Sequence, residues 1–168
     1  MRAILAKYKT TPLSWGGSNA SSGRFHRQGQ PTLYFAEDAD TITRELPSTS
    51  FKNYQYLTFP ADITLSKVLD FNKKDHQTFM GPILNFMRAE WAFFVDIHGQ
   101  KPVTHIVSDV ARRHGFEAIR FESRVNDKFN LAVFPKNLVA GSHIRIKDIQ
   151  DGQEPVEMTC DNLHLFES

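Results

Sequence analysis

Residues 23–45 read GRFHRQGQPTLYFAEDADTITRE, and the reading of the whole chain starts from them. Gly23-Arg24-Phe25 opens a loop punctuated by Gly29 and Pro31. Thr32 to Ala36 then alternates as a short strand, with Leu33 and Phe35 facing one way and Thr32, Tyr34 and Ala36 the other. Asp38 is a good N-cap for a helix that runs to about Leu46 and is ended by Pro47. Ile42 and Leu46, one turn apart, mark its inward face. Glu45 lies on or beside that face, so its carboxylate is expected to be either paired or functional.

Outward from this stretch the pattern mixes strands and helices without regular alternation. Met1 to Tyr8 reads as a first strand. Lys9 to Ser22, rich in Ser, Thr and Gly, reads as a mobile loop of the kind that covers a site. Tyr54 to Ile63 is expected to be a strand that Pro60 cuts short or places at an edge, and Thr64 to Phe71 another. A polar connection, Asn72 to Met80, leads to a helix opened by Pro82 and carrying Ile83, Met87, Trp91 and Phe94 at helical spacing to about Val95. His98-Gly99 is a turn. The clearest helix is Pro102 to His114, where Val103, Ile106, Val107, Val110 and Ala111 form a full apolar stripe and Gly115 is placed as the left-handed cap. Ala118 to Glu122 is a strand whose inward row, Ile119 and Phe121, ends at Ser123. Asn130 to Phe134 reads as a buried strand, His143 to Ile149 as an exposed one, and Val156 to Thr159 and Leu163 to Phe166 as edge strands. These elements predict one α+β domain over residues 1–168, with mixed or antiparallel sheets and a few helices, rather than a doubly wound sheet.

Composition narrows the function. Twenty basic and 19 acidic residues give a net charge of +1, which offers no electrostatic footprint for nonspecific nucleic-acid binding. The single cysteine, Cys160, excludes an intrachain disulfide and a Cys-rich metal site. No apolar run resembles a signal peptide or spans a bilayer, so the expectation is a cytoplasmic protein, with signal-free export still open. His105 and His114 do not make an H-E-x-x-H site, and Gly16-Gly17 and Gly29 fit neither a P-loop nor a dinucleotide fingerprint. No metal and no prosthetic group are expected.

Four side chains carry the chemistry that remains. Arg24 is either a solvated surface arginine or an anion clamp whose planar fork suits a phosphate or pyrophosphate; His26 and Arg27 could extend it. Tyr34 is either a core tyrosine with its hydroxyl satisfied or a ring that stacks on a planar ligand. Glu45 is either ion-paired with Arg44, Arg24 or Lys52, or stabilises a developing positive charge. Ser123 has no G-x-S-x-G elbow around it and is not expected to be a hydrolase nucleophile.

Arg24, Glu45 and Ser123 fall in order within GRF, TRE and GFEAIRFESR, and here the chain resembles the RES-domain family, named after an arginine, a glutamate and a serine. KVLDF is similar to that family's central strand, and NLAVFP to the strand after its serine; the resemblance covers nearly the whole length. Phe25 and His26 stand where the family commonly has tryptophan and asparagine, and Phe121 where it often has tyrosine. The resemblance implies an ADP-ribosyltransferase-like fold and an intracellular bacterial toxin that degrades NAD by breaking the nicotinamide–ribose bond through hydrolysis or phosphorolysis. It also implies a separate Xre-type antitoxin that blocks the active site.

On that resemblance Arg24 would grip the pyrophosphate, with Phe25 and His26 beside it. Tyr34 would pack against nicotinamide or its ribose, and Glu45 would stabilise an oxocarbenium-like transition state. Ser123 would hydrogen-bond near the nicotinamide end. His26, Arg27 and Arg124 are candidates for recruiting phosphate. Transfer of ADP-ribose to a protein is the nearest rival. An RNase-like toxin built on Arg24, His26 and Glu45, or a non-catalytic binding module, is the rival from another class.

Overall fold

The computed structural model describes residues 1–5, 9–45, 56–73, 75, 101–147 and 154–167. The expected helix from Pro82 to Val95, the His98-Gly99 turn, and the residues Leu46, Pro47 and Lys52 lie outside them.

Three sheets carry the α+β fold. β1 (Arg2–Leu5) pairs with β3 (Tyr56–Phe59). A four-stranded sheet runs in the order β2 (Leu33–Ala36), β7 (Phe129–Val133), β6 (Ala118–Glu122), β5 (Val68–Asp70). A three-stranded sheet has the order β4 (Ala61–Thr64), β8 (His143–Ile146), β9 (Val156–Met158). β5 and β6 are parallel and the other pairs antiparallel. Two short helices, α1 (Gly16–Ala20) and α2 (Ala39–Glu45), flank β2, and the longer α3 (Val103–Arg113) precedes β6.

The alternation along β2 separates two cores. Leu33 and Phe35 face one core with Val133, Ile144, Ile146 and Met158; Tyr34 packs against the other with Phe25, Phe121, Ala132, Phe134, Val107 and Ala111. Asp38 caps α2 as expected, its Oδ1 accepting from the Thr41 N–H at 2.8 Å. Pro60 interrupts the expected Tyr54–Ile63 strand, and the halves on either side of it enter different sheets. Gly115 closes α3 with φ +70°, the left-handed conformation that glycine adopts without a Cβ clash.

Four expectations are corrected. The segment from Lys9 to Ser22 is anchored, not a free loop: Leu13 and Trp15 are buried in the first core. The guanidinium of Arg2 donates to the carbonyls of Pro12 at 2.6 Å and Ser14 at 3.0 Å. β8 is not an exposed strand but the centre of its sheet, with Ile144 and Ile146 fully buried. Leu163–Phe166 is a 3-10 turn. The apolar stripe of α3 does not all face inward: Ile106 and Val110 are 46% and 41% exposed, while Thr104, His105 and Ser108 are buried in their place.

Candidate functional site

That polar helix face exists because it holds the loop that opens the site. Gly23 and His26 exchange backbone hydrogen bonds of 3.0 and 3.4 Å, a tight turn that puts Arg24 and Phe25 at its tip. The His105 Nε2–H donates to the Gly23 carbonyl at 2.8 Å, and the Ser108 hydroxyl donates to the Phe25 carbonyl at 2.6 Å. Arg112 donates to the Pro31 carbonyl at 3.1 Å and to Thr32 Oγ1 at 2.6 Å, and its guanidinium lies 3.8 Å from the Phe134 ring centroid. Asp109 accepts from Arg27, from Gln30 Nε2 at 3.0 Å and from Lys101 Nζ at 2.7 Å. Residues 105, 108, 109 and 112 follow helical spacing, so one face of α3 grips the loop along its length.

A second set of bonds fixes the turn from inside. The Tyr34 hydroxyl accepts from the Phe25 N–H at 2.8 Å and lies 2.9 Å from His26 Nδ1, whose Nε2 lies 3.0 Å from the Ser21 carbonyl. A carbonyl can only accept, so the neutral ring carries its proton on Nε2 and Nδ1 accepts from the Tyr34 hydroxyl. Burial pushes His26 down to about 4, which keeps it neutral, and pushes the Tyr34 phenol up. Glycine is required at position 23 because a Cβ there would meet His26 Cε1 at 2.3 Å and Nδ1 at 2.7 Å.

Glu45, at the end of α2, reaches the end of β6. Its Oε1 accepts from the Ser123 hydroxyl at 2.6 Å, from Asn130 Nδ2 at 2.9 Å and from the Arg124 N–H at 3.2 Å. Among the described residues Oε2 has no hydrogen-bond partner. The Arg44 side chain is engaged one turn back by Asp40 at 3.0 Å. Arg24 projects onto the same side of the sheet, its guanidinium 5.1 Å from the Phe121 ring centroid. Burial lowers its pKa and the charge of Arg124 lowers it further, while Glu45 and Tyr34 act in the opposite sense. Arg24 therefore lies within electrostatic reach of both Glu45 and Arg124.

The turn and the glutamate cluster bring Arg24, Tyr34, Glu45 and Ser123 onto one face of the four-stranded sheet. The other expected contacts change character. Phe25 is fully buried, its ring 4.6 Å from that of Phe121, so it supports the turn from the core and is not open to a ligand. His26 is neutral and walled in by Tyr34 and Ser21, and the half-exposed Arg27 is engaged by Asp109. Ser123 gives its proton to Glu45 and accepts from the Val125 N–H at 3.2 Å. The hydroxyl of Tyr34 is spent on the loop, which leaves only its ring for contact.

Sequence reasoning missed Asn130, which is 8% exposed on β7 and bonded to Glu45. The signal was an asparagine heading an otherwise apolar strand, NLAVF. It also passed over the polar residues of α3 that hold the turn. Among the described residues no helix is long and apolar enough to cross a membrane, and no group of three His, Cys, Asp or Glu side chains is arranged to hold a metal.

Fold and site together define an α+β domain that presents a buttressed glutamate beside a clamped arginine turn on one sheet face. The chain belongs to the RES domain family, which matches residues 1–157. No curated protein matches the sequence. Among solved structures, a chain from the crystal structure of the M. tuberculosis MbcT–MbcA toxin–antitoxin complex shares the fold. Its TM-score is 0.62 and its identity 17%, over 98% of this chain and 86% of that one.

Proposed function

We propose that this protein is the toxin of a toxin–antitoxin pair and acts in the cytoplasm by degrading NAD. The reading is supported by family membership, by a fold shared with a chain of a toxin–antitoxin complex, and by the chemistry of the site. The observation that carries it is Glu45, with one oxygen held by three donors and the other without a partner among the described residues, within electrostatic reach of Arg24.

Such a carboxylate suits a cation that develops next to it. In NAD, nicotinamide is joined to ribose as a cationic pyridinium. When the C–N bond breaks, the electron pair goes to the ring and nicotinamide leaves neutral, so the leaving group needs no proton. Positive charge then builds on the ribose, and Oε2 of Glu45 stabilises it, an electrostatic effect on the order of 3 kcal/mol for one well-placed group. Arg24 binds the pyrophosphate, and the ring of Tyr34 borders the nicotinamide side. A water oxygen, or an oxygen of inorganic phosphate, forms the new bond to the ribose carbon. With water as acceptor the products are ADP-ribose, nicotinamide and one proton. A separate antitoxin chain, of Xre type, covers this face and silences it.

Incubating the purified protein with NAD, with and without inorganic phosphate, and identifying the products tests the proposal. Free ADP-ribose or its phosphate is expected. In Glu45→Gln, NAD loss falls by at least about 100-fold in a folded protein. Normal turnover in that variant, or degraded RNA with NAD intact, overturns the reading; label from NAD retained on protein assigns ADP-ribose transfer instead.

A further inference from the structure

We infer that Asn130 is a positioning residue for Glu45, and that Oε2 is thereby the glutamate oxygen presented to substrate; the inference deepens the reading of the site given above. Glu45 stands at the end of a seven-residue helix, where a glutamate side chain has several rotatable bonds and no covalent reason to choose one orientation. Its orientation is set from the sheet instead. Three donors from two strand ends converge on a single oxygen: the Ser123 hydroxyl at 2.6 Å, the Arg124 N–H at 3.2 Å and the Asn130 amide at 2.9 Å. Ser123 and Arg124 follow β6, and Asn130 belongs to the neighbouring strand β7.

Asn130 is the member of this set best fixed in space. It sits within β7, with Phe121 of β6 opposite it on one side and Ala36 of β2 on the other, so ladders on both sides fix its backbone. Ser123 and Arg124 lie in the turn beyond β6. A hydroxyl hydrogen turns freely about its C–O bond, whereas moving the donor of Asn130 requires turning a whole buried amide plane. With Oε1 held from the sheet side, Oε2 is the remaining oxygen, and it is the one available to a developing positive charge. Asn130 touches no reacting atom in this scheme; it acts through Glu45.

Asn130→Ala removes the donor and leaves the strand. If Asn130 positions Glu45, NAD turnover falls by about 10-fold to 100-fold in kcat while KM for NAD changes less than about twofold, because ground-state binding through Arg24 is untouched. In the Glu45→Gln background the same substitution has no further effect on kcat, since residues that act as a unit are not additive. A purely structural Asn130 would instead lower the folded fraction and leave kcat per folded molecule unchanged, in both backgrounds. A second measurement does not depend on NAD at all. Carbon-13 relaxation of the Glu45 side chain in the free protein reports its order, which is high in the wild type and falls in Asn130→Ala. Unchanged Glu45 order overturns the inference whether or not the protein consumes NAD. Lost order in a protein that leaves NAD intact upholds the positioning role and refutes the NAD reading.

Discussion

Glu117 and Glu45 are both held by backbone and side-chain donors, and they differ in how those donors are distributed over the two carboxylate oxygens. Glu117, at the turn between α3 and β6, is fully buried with both oxygens occupied: Oε2 accepts from the N–H groups of Ser66 at 2.6 Å and Lys67 at 2.8 Å, and Oε1 from Val139 at 3.1 Å. It ties together the segment before β5, the start of β6 and the loop after β7. Among the described residues, the donors to Glu45 all fall on one oxygen. A carboxylate with both ends saturated is a structural joint, and one with a single end fixed is an aimed group. Counting hydrogen bonds would not separate them; their distribution over the two oxygens does.

The largest expected effect breaks the joint. Glu117→Ala leaves three part-buried N–H groups without their acceptor and empties a fully buried side-chain site, which costs on the order of 3 kcal/mol of stability, read as the shift in a urea unfolding midpoint. pH sharpens the same contrast. Burial alone would push the Glu117 carboxyl up, but hydrogen bonds from Ser142 and from the N–H groups of Lys67, Val139 and Ser66 outweigh it and hold the carboxyl below its ordinary range. A carboxyl lowered in the fold stabilises the protein fully above its unfolded value, near about 4.3, and that stability is lost as pH falls through the folded value. The stability gap between wild type and Glu117→Gln, followed by unfolding at several pH values, therefore narrows below about pH 4. A gap that stays constant through this range refutes the role of the charge.

Ser123→Ala is expected to act on the aimed glutamate with a smaller effect. It removes one of three donors to Oε1 and leaves Asn130 and the Arg124 N–H in place, so NAD turnover falls by about 10-fold with little change in stability. A serine nucleophile would behave differently, since its loss would remove essentially all turnover. Complete loss of activity in a folded Ser123→Ala protein would therefore return Ser123 to the reacting atoms.

The contrast between the two glutamates also separates what the sequence could tell from what it could not. Glu45 was legible because helix periodicity puts it beside Ile42, where an acidic residue asks for an explanation, and Asp38 marks where that helix begins. Glu117 was not, because beside Ser142 its partners are backbone N–H groups from Ser66, Lys67 and Val139, and a backbone donor leaves no mark in residue type. The same limit explains α3. Its valines and Ile106 match a helical stripe, but the loop from Gly23 to Thr32 presents carbonyls and Arg27 to be bonded, so His105, Ser108, Asp109 and Arg112 turn inward and Ile106 and Val110 turn out. Gly115, Pro60 and the alternation of β2 were readable because they act through local backbone geometry. Asn130 was hidden because its partner lies 85 residues away.

The smallest expected effect concerns how the arginine turn is held. Tyr34→Phe keeps the ring in its core and removes one hydroxyl, which accepts from the Phe25 N–H and donates to His26 Nδ1. The Phe25 N–H loses its acceptor, a loss of about 1–2 kcal/mol in stability. His26 gives this variant a distinct pH signature. With its folded value lowered by burial to about 4, below an unfolded value near about 6.5, the neutral ring stabilises the wild type fully above the unfolded value. That contribution declines as pH falls from about 6.5 and is gone below the folded value. The Tyr34 hydroxyl favours the neutral ring by donating to Nδ1, so removing it eases protonation in the fold and makes the decline shallower. Thermal unfolding of both proteins from pH 7 to pH 4 measures the two slopes. Parallel slopes would mean that the ring carries its proton on Nδ1, which would reverse the direction of hydrogen bonding assigned to Tyr34 and leave the Ser21 carbonyl without its donor.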